Sequence, residues 1–187
     1  MEISFVRHGR SKHIDNRKMT CDEFNAWVRK YDDGGVFEEE SYPLKTVEKV
    51  LAAKIMITSD LRRSIDSSKL LQPNKKKIAS SLYRETELPV PSKKIKWLKL
   101  KPSFWAVILR CLWLTGYSDG CESLNCAKKR ANKAAIELVG YAKKHDSIVF
   151  IGHGFINQLI AKELRNMGWK GKGKTDSKHW GCTTYTL

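Results

Sequence analysis

The sequence predicts an α/β fold, a three-layer α/β/α sandwich around a mainly parallel central sheet. Two observations predict it. Short uninterrupted apolar runs alternate along the chain with longer segments whose apolar residues recur at helical spacing, the pattern of strands joined by crossover helices. Three of those runs also end directly in strings rich in charge, hydroxyl or glycine: Arg7-His8-Gly9, Ser59 to Ser64, and Gly152-His153-Gly154. Sheets of this kind bind ligands outside the carboxyl ends of their strands.

The elements follow in order. Ile3 to Val6 reads as a buried strand. Thr20 and Glu23 form a capping box, and Phe24, Trp27, Val28 and Tyr31 continue it as a helix that ends at Asp32-Asp33-Gly34-Gly35. Pro43 to Ala53 is a second helix with proline in its first turn. Ile55 to Thr58 is a strand, and Ser59 is expected to cap a helix from Asp60 to about Leu71, ahead of Pro73. A third strand lies around Ile78, and Leu82 to Pro91 is a loop because Pro89 and Pro91 exclude regular helix. A long helix runs from Glu122 to about His145, with Ala127, Ala131, Ala134, Ala135, Leu138 and Tyr141 on its packed side. Ile148 to Ile151 is a fourth strand, Phe155 to Met167 a helix, and Cys182 to Leu187 a last strand.

With 187 residues and 21.5 kDa, the chain suits a single domain over 1–187 carrying one basic/aromatic insertion at about 92–118. A hydrophobic fraction of 41% excludes a wholly disordered chain. Thirty-five Lys and Arg against 20 Asp and Glu leave a net charge of +15. That balance favours anionic partners: phosphorylated molecules, nucleic acid or an acidic membrane surface. The five cysteines are scattered without metal-ligand spacing and read as reduced thiols of a cytoplasmic protein. The N-terminal apolar stretch is too short for a signal peptide. The longest apolar run, Phe104 to Leu109, falls far short of a membrane span.

The strand-end residues suggest chemistry on an anion. His8 and His153 each stand beside a glycine that lets backbone approach a ligand. The helix after Gly154 is expected to aim its N-terminal amides at the same ligand. Arg7 adds a planar guanidinium suited to phosphate oxygens. Arg62 and Arg63 open a helix, where a cation opposes the dipole, so one of them is expected to serve an anionic ligand. Each feature alone also reads as ordinary structure. Together, at three strand ends, they indicate one site.

Ile3-Ser-Phe-Val-Arg-His-Gly9 resembles the strand-plus-RHG signature of the histidine phosphatase superfamily, also called phosphoglycerate mutase-like. Thr58-Ser-Asp-Leu-Arg-Arg-Ser64 is similar to its second motif, Ser-(Pro/Asp)-Leu-x-Arg-(Ala/Ser). Val149-Phe-Ile-Gly-His-Gly154 is similar to the strand ending in its second catalytic histidine. The resemblance spans residues 3 to 154 in matching order. It implies a phosphoric monoester hydrolase of the acid type, independent of metal and cofactor, with His8 as the nucleophile that becomes phosphohistidine. Arg7, Arg63 and His153 would bind the phosphoryl oxygens, while Arg62 falls on the variable position. The family's proton donor maps to Leu82–Pro89, where Glu85 is assigned and Glu87 is the alternative.

The match has gaps. Ser11 fits the continuation of RHG as a possible site residue, but Ile14 stands where many members carry Asn. Leu88-Pro-Val-Pro91 replaces the family's Gly-Asp-Trp-Glu-Gly stretch, and Cys121-Glu122-Ser123 only loosely resembles Gly-Glu-Ser. Phosphatase chemistry is expected, and the short loops argue against a full mutase. The substrate is expected to be a phosphorylated small molecule or a phosphoprotein. A phosphohistidine protein phosphatase and a non-catalytic polyanion-binding module are the alternatives, with nucleic acid a less favoured partner. Gly168 to Thr175 matches the P-loop pattern by letter. It lacks the strand before and the helix after that a P-loop needs, so it is read as a basic loop. Lys93 to Tyr117 is basic first and aromatic later, a pattern shared by single-strand nucleic-acid binders and membrane-interface segments. Phe104, Ile108 and Leu112 recur at helical spacing and are expected to pack on the sheet, leaving Trp97 and the lysines for a substrate-recognising lid.

Overall fold

The structure is a computed structural model that describes residues 1–90 and 97–187. Six strands form one sheet: β1 (Glu2–Arg7), β2 (Ile55–Ser59), β3 (Lys77–Ser80), β4 (Ser147–Gly152), β5 (Lys170–Gly171) and β6 (Cys182–Thr186), in the order β3-β2-β4-β1-β6-β5. β1, β2, β3 and β4 pair in parallel, and β6 returns antiparallel to β1. The two-residue β5 has no counterpart in the sequence reading. It pairs antiparallel to β6 through Lys170 and Gly171.

The central strands are mainly apolar and buried because both sheet faces are covered. Alternate residues serve opposite cores. Ile3, Phe5, Ile55, Ile57, Ile148 and Phe150 face α5 (Leu124–His145) and α6 (Gly154–Asn166), meeting Ala131, Ala135, Leu138 and Ile160. Val6, Met56, Val149 and Ile151 face the other way, toward Val50 of α2 (Leu44–Ala52) and Leu71 of α3 (Arg62–Leu71). Those two cores with the sheet between them are the expected three layers. Register then sets the site. Arg7 lies opposite Gly152 and Thr58 opposite Ile151, so β1, β2 and β4 end side by side.

Local signals place the helix ends. α1 (Cys21–Asp33) begins at Thr20, whose hydroxyl accepts the Glu23 amide at 3.3 Å while the Glu23 carboxylate accepts the Thr20 amide at 2.7 Å. The Thr20 cap by itself contributes about 1 kcal/mol. α5 starts later than the sequence suggests, because Ser123 takes the cap and accepts the Cys126 amide. Ser59 does not cap α3. It is the last residue of β2, and α3 begins beyond Leu61 with no side-chain cap.

α4 (Pro102–Leu114) packs by a different face from the one expected. Phe104, Ile108 and Leu112 are exposed, and the buried face is Pro102, Trp105, Leu109 and Trp113. Trp105 and Leu109 join Met19, Cys21 and Phe24 of the α1 region in a third apolar cluster. The Trp105 indole also donates to the Met19 carbonyl at 2.7 Å. The helix is apolar on every side but the narrow one carrying Ser103 and Arg110, so periodicity alone could not select which apolar side would pack. The expected lid includes Lys93, Lys94 and Lys96, which lie outside the described residues; Trp97 is described and 79% exposed.

The Gly168–Thr175 segment carries β5 and ends pinned to α6. Gln158 donates to the Thr175 carbonyl and accepts its amide, both at 3.0 Å. No helix follows it, so its P-loop spelling has no structural counterpart.

Candidate active site

His8 follows β1, His153 follows β4, and Arg63 stands in the first turn of α3 after β2. The two imidazole rings are 5.0 Å apart, centre to centre. Both are buried, as is Arg63. The His8 Nδ1 lies 2.8 Å from the Gly9 carbonyl. A carbonyl only accepts, so Nδ1 carries the hydrogen and Nε2 keeps its lone pair. Burial, then the positive charge of Arg63, then Arg7 and His179, hold the His8 imidazole well below its ordinary 6.5, against the opposing Gly9 bond. His153 is depressed well below 6.5 by burial first and then by Arg63, His8 and Arg7. Both rings are therefore neutral at neutral pH.

His153 Nε2 is 2.6 Å from the Ser59 hydroxyl, which also accepts the Leu61 amide at 3.3 Å. The His153 amide donates to the Asn157 side chain at 3.1 Å. Among the described residues its Nδ1 has no partner, and neither has the Nε of Arg7 or of Arg63. Arg7 donates through Nη1 to the Ser177 carbonyl, and Arg63 through Nη1 to the Asp32 carboxylate. The Arg63 guanidinium lies over the Tyr31 ring, 4.9 Å from its centre. Three buried polar atoms without partners thus belong to three residues around His8, where buried groups are ordinarily satisfied.

Glu85 is close by, in an unforeseen role. Its carboxylate accepts the Phe155 amide at 2.9 Å, the Ile156 amide at 2.8 Å and the Thr86 amide at 2.9 Å. Two N-terminal amides of α6, expected to face a ligand, are therefore taken by the chain's own carboxylate. A negative charge there is favourable to the helix dipole. Glu87 is exposed and lines the same groove. That groove, about 1000 Å³, is bordered by Arg7, His8, Arg63 and Glu85 on its floor and by Ser103, Ala106 and Arg110 of α4 on its wall.

The remaining assignments lie apart. Arg62 points to solvent and pairs with Asp66 at 3.5 Å. Ser11 is buried in a bridge to Val36, and its hydroxyl accepts the His13 amide at 3.2 Å. Gly9 is needed for a different contact from the one expected. A Cβ there would stand 2.0 Å from the Trp180 indole, so glycine makes room for Trp180.

Residues 177–180 are the part that sequence reasoning missed. Besides the Ser177 contact, the His179 Nδ1 donates to the His8 carbonyl at 2.9 Å, and the Trp180 amide donates to the Arg7 carbonyl at 2.9 Å. Trp180 has φ +62°, a left-handed conformation costing a non-glycine residue about 1 kcal/mol. Its carbonyl accepts the Thr46 hydroxyl at 2.6 Å. This segment clamps Arg7-His8-Gly9 from outside. Tyr31 and Asp32 were equally unforeseen as site residues. The apolar stripe of α1 reaches Tyr31, but nothing local in the sequence ties it to Arg63.

No protein-family model and no curated protein sequence matches the chain. Solved structures do. A protein described as mycobacterial hydrolase 1 superposes with a TM-score of 0.63 at 18% identity, covering 98% of this chain and 89% of its own. A mycobacterial glucosyl-3-phosphoglycerate phosphatase gives 0.56 at 19% identity, covering 87% and 78%. A phosphoserine phosphatase from Entamoeba histolytica, solved with 3-phosphoglyceric acid, gives 0.56 at 16% identity, covering 98% and 89%. The fold they share with this chain is that of the histidine phosphatases, the phosphoglycerate mutase-like class.

Proposed function

We propose that the chain is a phosphatase that hydrolyses a phosphomonoester through a phosphohistidine on His8. The observation that carries this is the convergence of partnerless polar atoms on a nucleophile whose tautomer is set. Among the described residues no hydrogen bond reaches His8 Nε2, and Arg7 Nε, Arg63 Nε and His153 Nδ1 are buried without partners beside it. Phosphoryl transfer asks the protein mainly for positioning and charge stabilisation, which this arrangement supplies without a cation. The fold's solved phosphatases, one of them crystallised with VO3, support the reading.

In the first step the Nε2 lone pair forms a bond to phosphorus and the ester P–O bond breaks. The leaving oxygen takes a proton, which we assign to Glu85. As arranged, Glu85 accepts backbone amides through both oxygens. Donation therefore requires a protonated carboxyl released from at least one of them. In the second step water attacks phosphorus, the P–N bond breaks, and the same carboxylate takes the proton from water. The substrate is a phosphorylated small molecule; a phosphoprotein remains the alternative class, and the reaction is cytoplasmic and metal-independent in this reading.

Two measurements on the full chain test this. An aryl phosphate should be hydrolysed with EDTA present, and loss of activity restored by a divalent ion would reject the mechanism. Rapid-quench labelling should place phosphate on His8 as an acid-labile, base-stable adduct. Label on serine or cysteine would reject His8 as nucleophile.

A further inference from the structure

α4 presents three faces. Trp105, Leu109 and Trp113 point into the protein, and Ser103, Ala106 and Arg110 line the groove. The remaining arc of about 160°, at 100° per residue, holds Leu114, Val107, Cys111, Phe104, Thr115 at the helix end, Ile108 and Leu112, all exposed. Phe104 is 59% and Val107 62% exposed. Nothing among the described residues covers this arc. An open apolar stripe this continuous on a water-soluble surface marks an interaction site.

Its surroundings indicate the partner. From Leu88 to Ser118 the chain has no acidic residue. Among the described residues, Lys99 and Lys101 are exposed just before α4, and Trp97 is exposed beside them. Apolar side chains on one face of a helix, flanked by lysine and tryptophan, match the headgroup boundary of an anionic bilayer. A second copy of the chain would bring another +15 against those lysines. A nucleic acid would need stacking platforms, yet the tryptophans of α4 face inward and the open arc is mainly aliphatic. A 13-residue helix is about 20 Å long, too short to span a membrane. It suits attachment parallel to the surface.

We propose that the open face of α4 docks the protein onto an anionic lipid bilayer. The neighbouring face of the same helix is the groove wall, so docking holds the groove mouth at headgroup level. Resting on the phosphatase reading above, this makes a phosphomonoester presented from a bilayer the substrate class.

Flotation of the full chain with lipid vesicles tests the docking without reference to turnover. Binding is expected to vesicles of phosphatidylcholine with phosphatidylglycerol, to weaken with salt, and to be much weaker with phosphatidylcholine alone. Phe104→Ser with Ile108→Ser should weaken binding by at least about tenfold. Both side chains are exposed and outside the groove, so the melting temperature should be unchanged. Lys99→Glu with Lys101→Glu gives a second variant, which should also release the protein. Three results overturn the proposal: no flotation with anionic vesicles; equal flotation of the serine variant; or a dimer, or an RNA complex, that the serine variant abolishes while the parent chain ignores vesicles.

Discussion

The floor and the wall of the groove are built on opposite plans. The floor gathers polar side chains inside the protein. Arg63 and His8 are buried, Arg63 bonded to Asp32 of α1 and the His8 amide to the Gly152 carbonyl of β4, and His153 lies fully buried behind them, bonded to Ser59 of β2. The wall, α4, does the reverse and leaves apolar side chains in water. On the floor, three parallel strands ending in register set positions that loops could not hold as closely. The wall is one helix anchored mainly through two tryptophans and a leucine. In the proposed reading, chemistry belongs to the part the sheet over-determines and docking to the part it does not.

Breaking the floor should have the largest effect. His8→Ala should lower kcat by about 10³-fold or more, since no neighbouring side chain can replace the nucleophile. Melting temperature should change little, and a residual rate within tenfold of the parent would remove His8 from the mechanism.

Breaking the wall should cost stability rather than chemistry. Trp105→Ala removes a fully buried indole and its bond to Met19, and should cost about 3–5 kcal/mol. Phe104→Ala, one residue away, should stay within about 0.5 kcal/mol. Urea unfolding of both variants checks the contrast. Equal losses would mean that the helix packs by the other face.

The two adjacent arginines sharpen the floor itself. Arg63→Ala should lower kcat/KM by about 10²-fold, and Arg62→Ala by less than about twofold, because Arg62 is paired with Asp66 in solvent. Steady-state kinetics on one aryl phosphate decide it, and comparable losses would mean that Arg62 reaches substrate.

Glu85→Gln should slow alkyl phosphates about 10–100-fold while largely sparing aryl phosphates, whose leaving groups need little protonation. Equal loss on both would withdraw Glu85, and the selective pattern in Glu87→Gln instead would move the role there.

The smallest effect is in pH. His8 and His153 are depressed below 6.5, so they bind fewer protons folded than unfolded. Stability is therefore full above 6.5 and lost as pH falls through and below it. Thermal melts between pH 7 and 5 should show the decline, and His153→Asn should flatten it. An unchanged slope in that variant would assign the decline to other groups.

The sequence by itself determined every strand but β5, most helix limits and the strand-end strings that meet at the groove. Each is written locally: apolar runs bounded by polar residues, a capping box at Thr20 and Glu23, and Arg-His-Gly and Gly-His-Gly at strand ends. Backbone hydrogen bonding and side-chain period act over a few residues, so short strings suffice to encode them. Only the tertiary structure decided the rest. Glu85 lies about seventy residues from the amides it accepts, Asp32 about thirty from Arg63, and Ser177–Trp180 about 170 from the Arg7-His8-Gly9 string it clamps. Such pairings arise from how layers stack, and no local periodicity records them. The same holds for α4: a helix apolar on most of its circumference carries no single preferred packing direction, and α1 and the groove chose which faces would be covered.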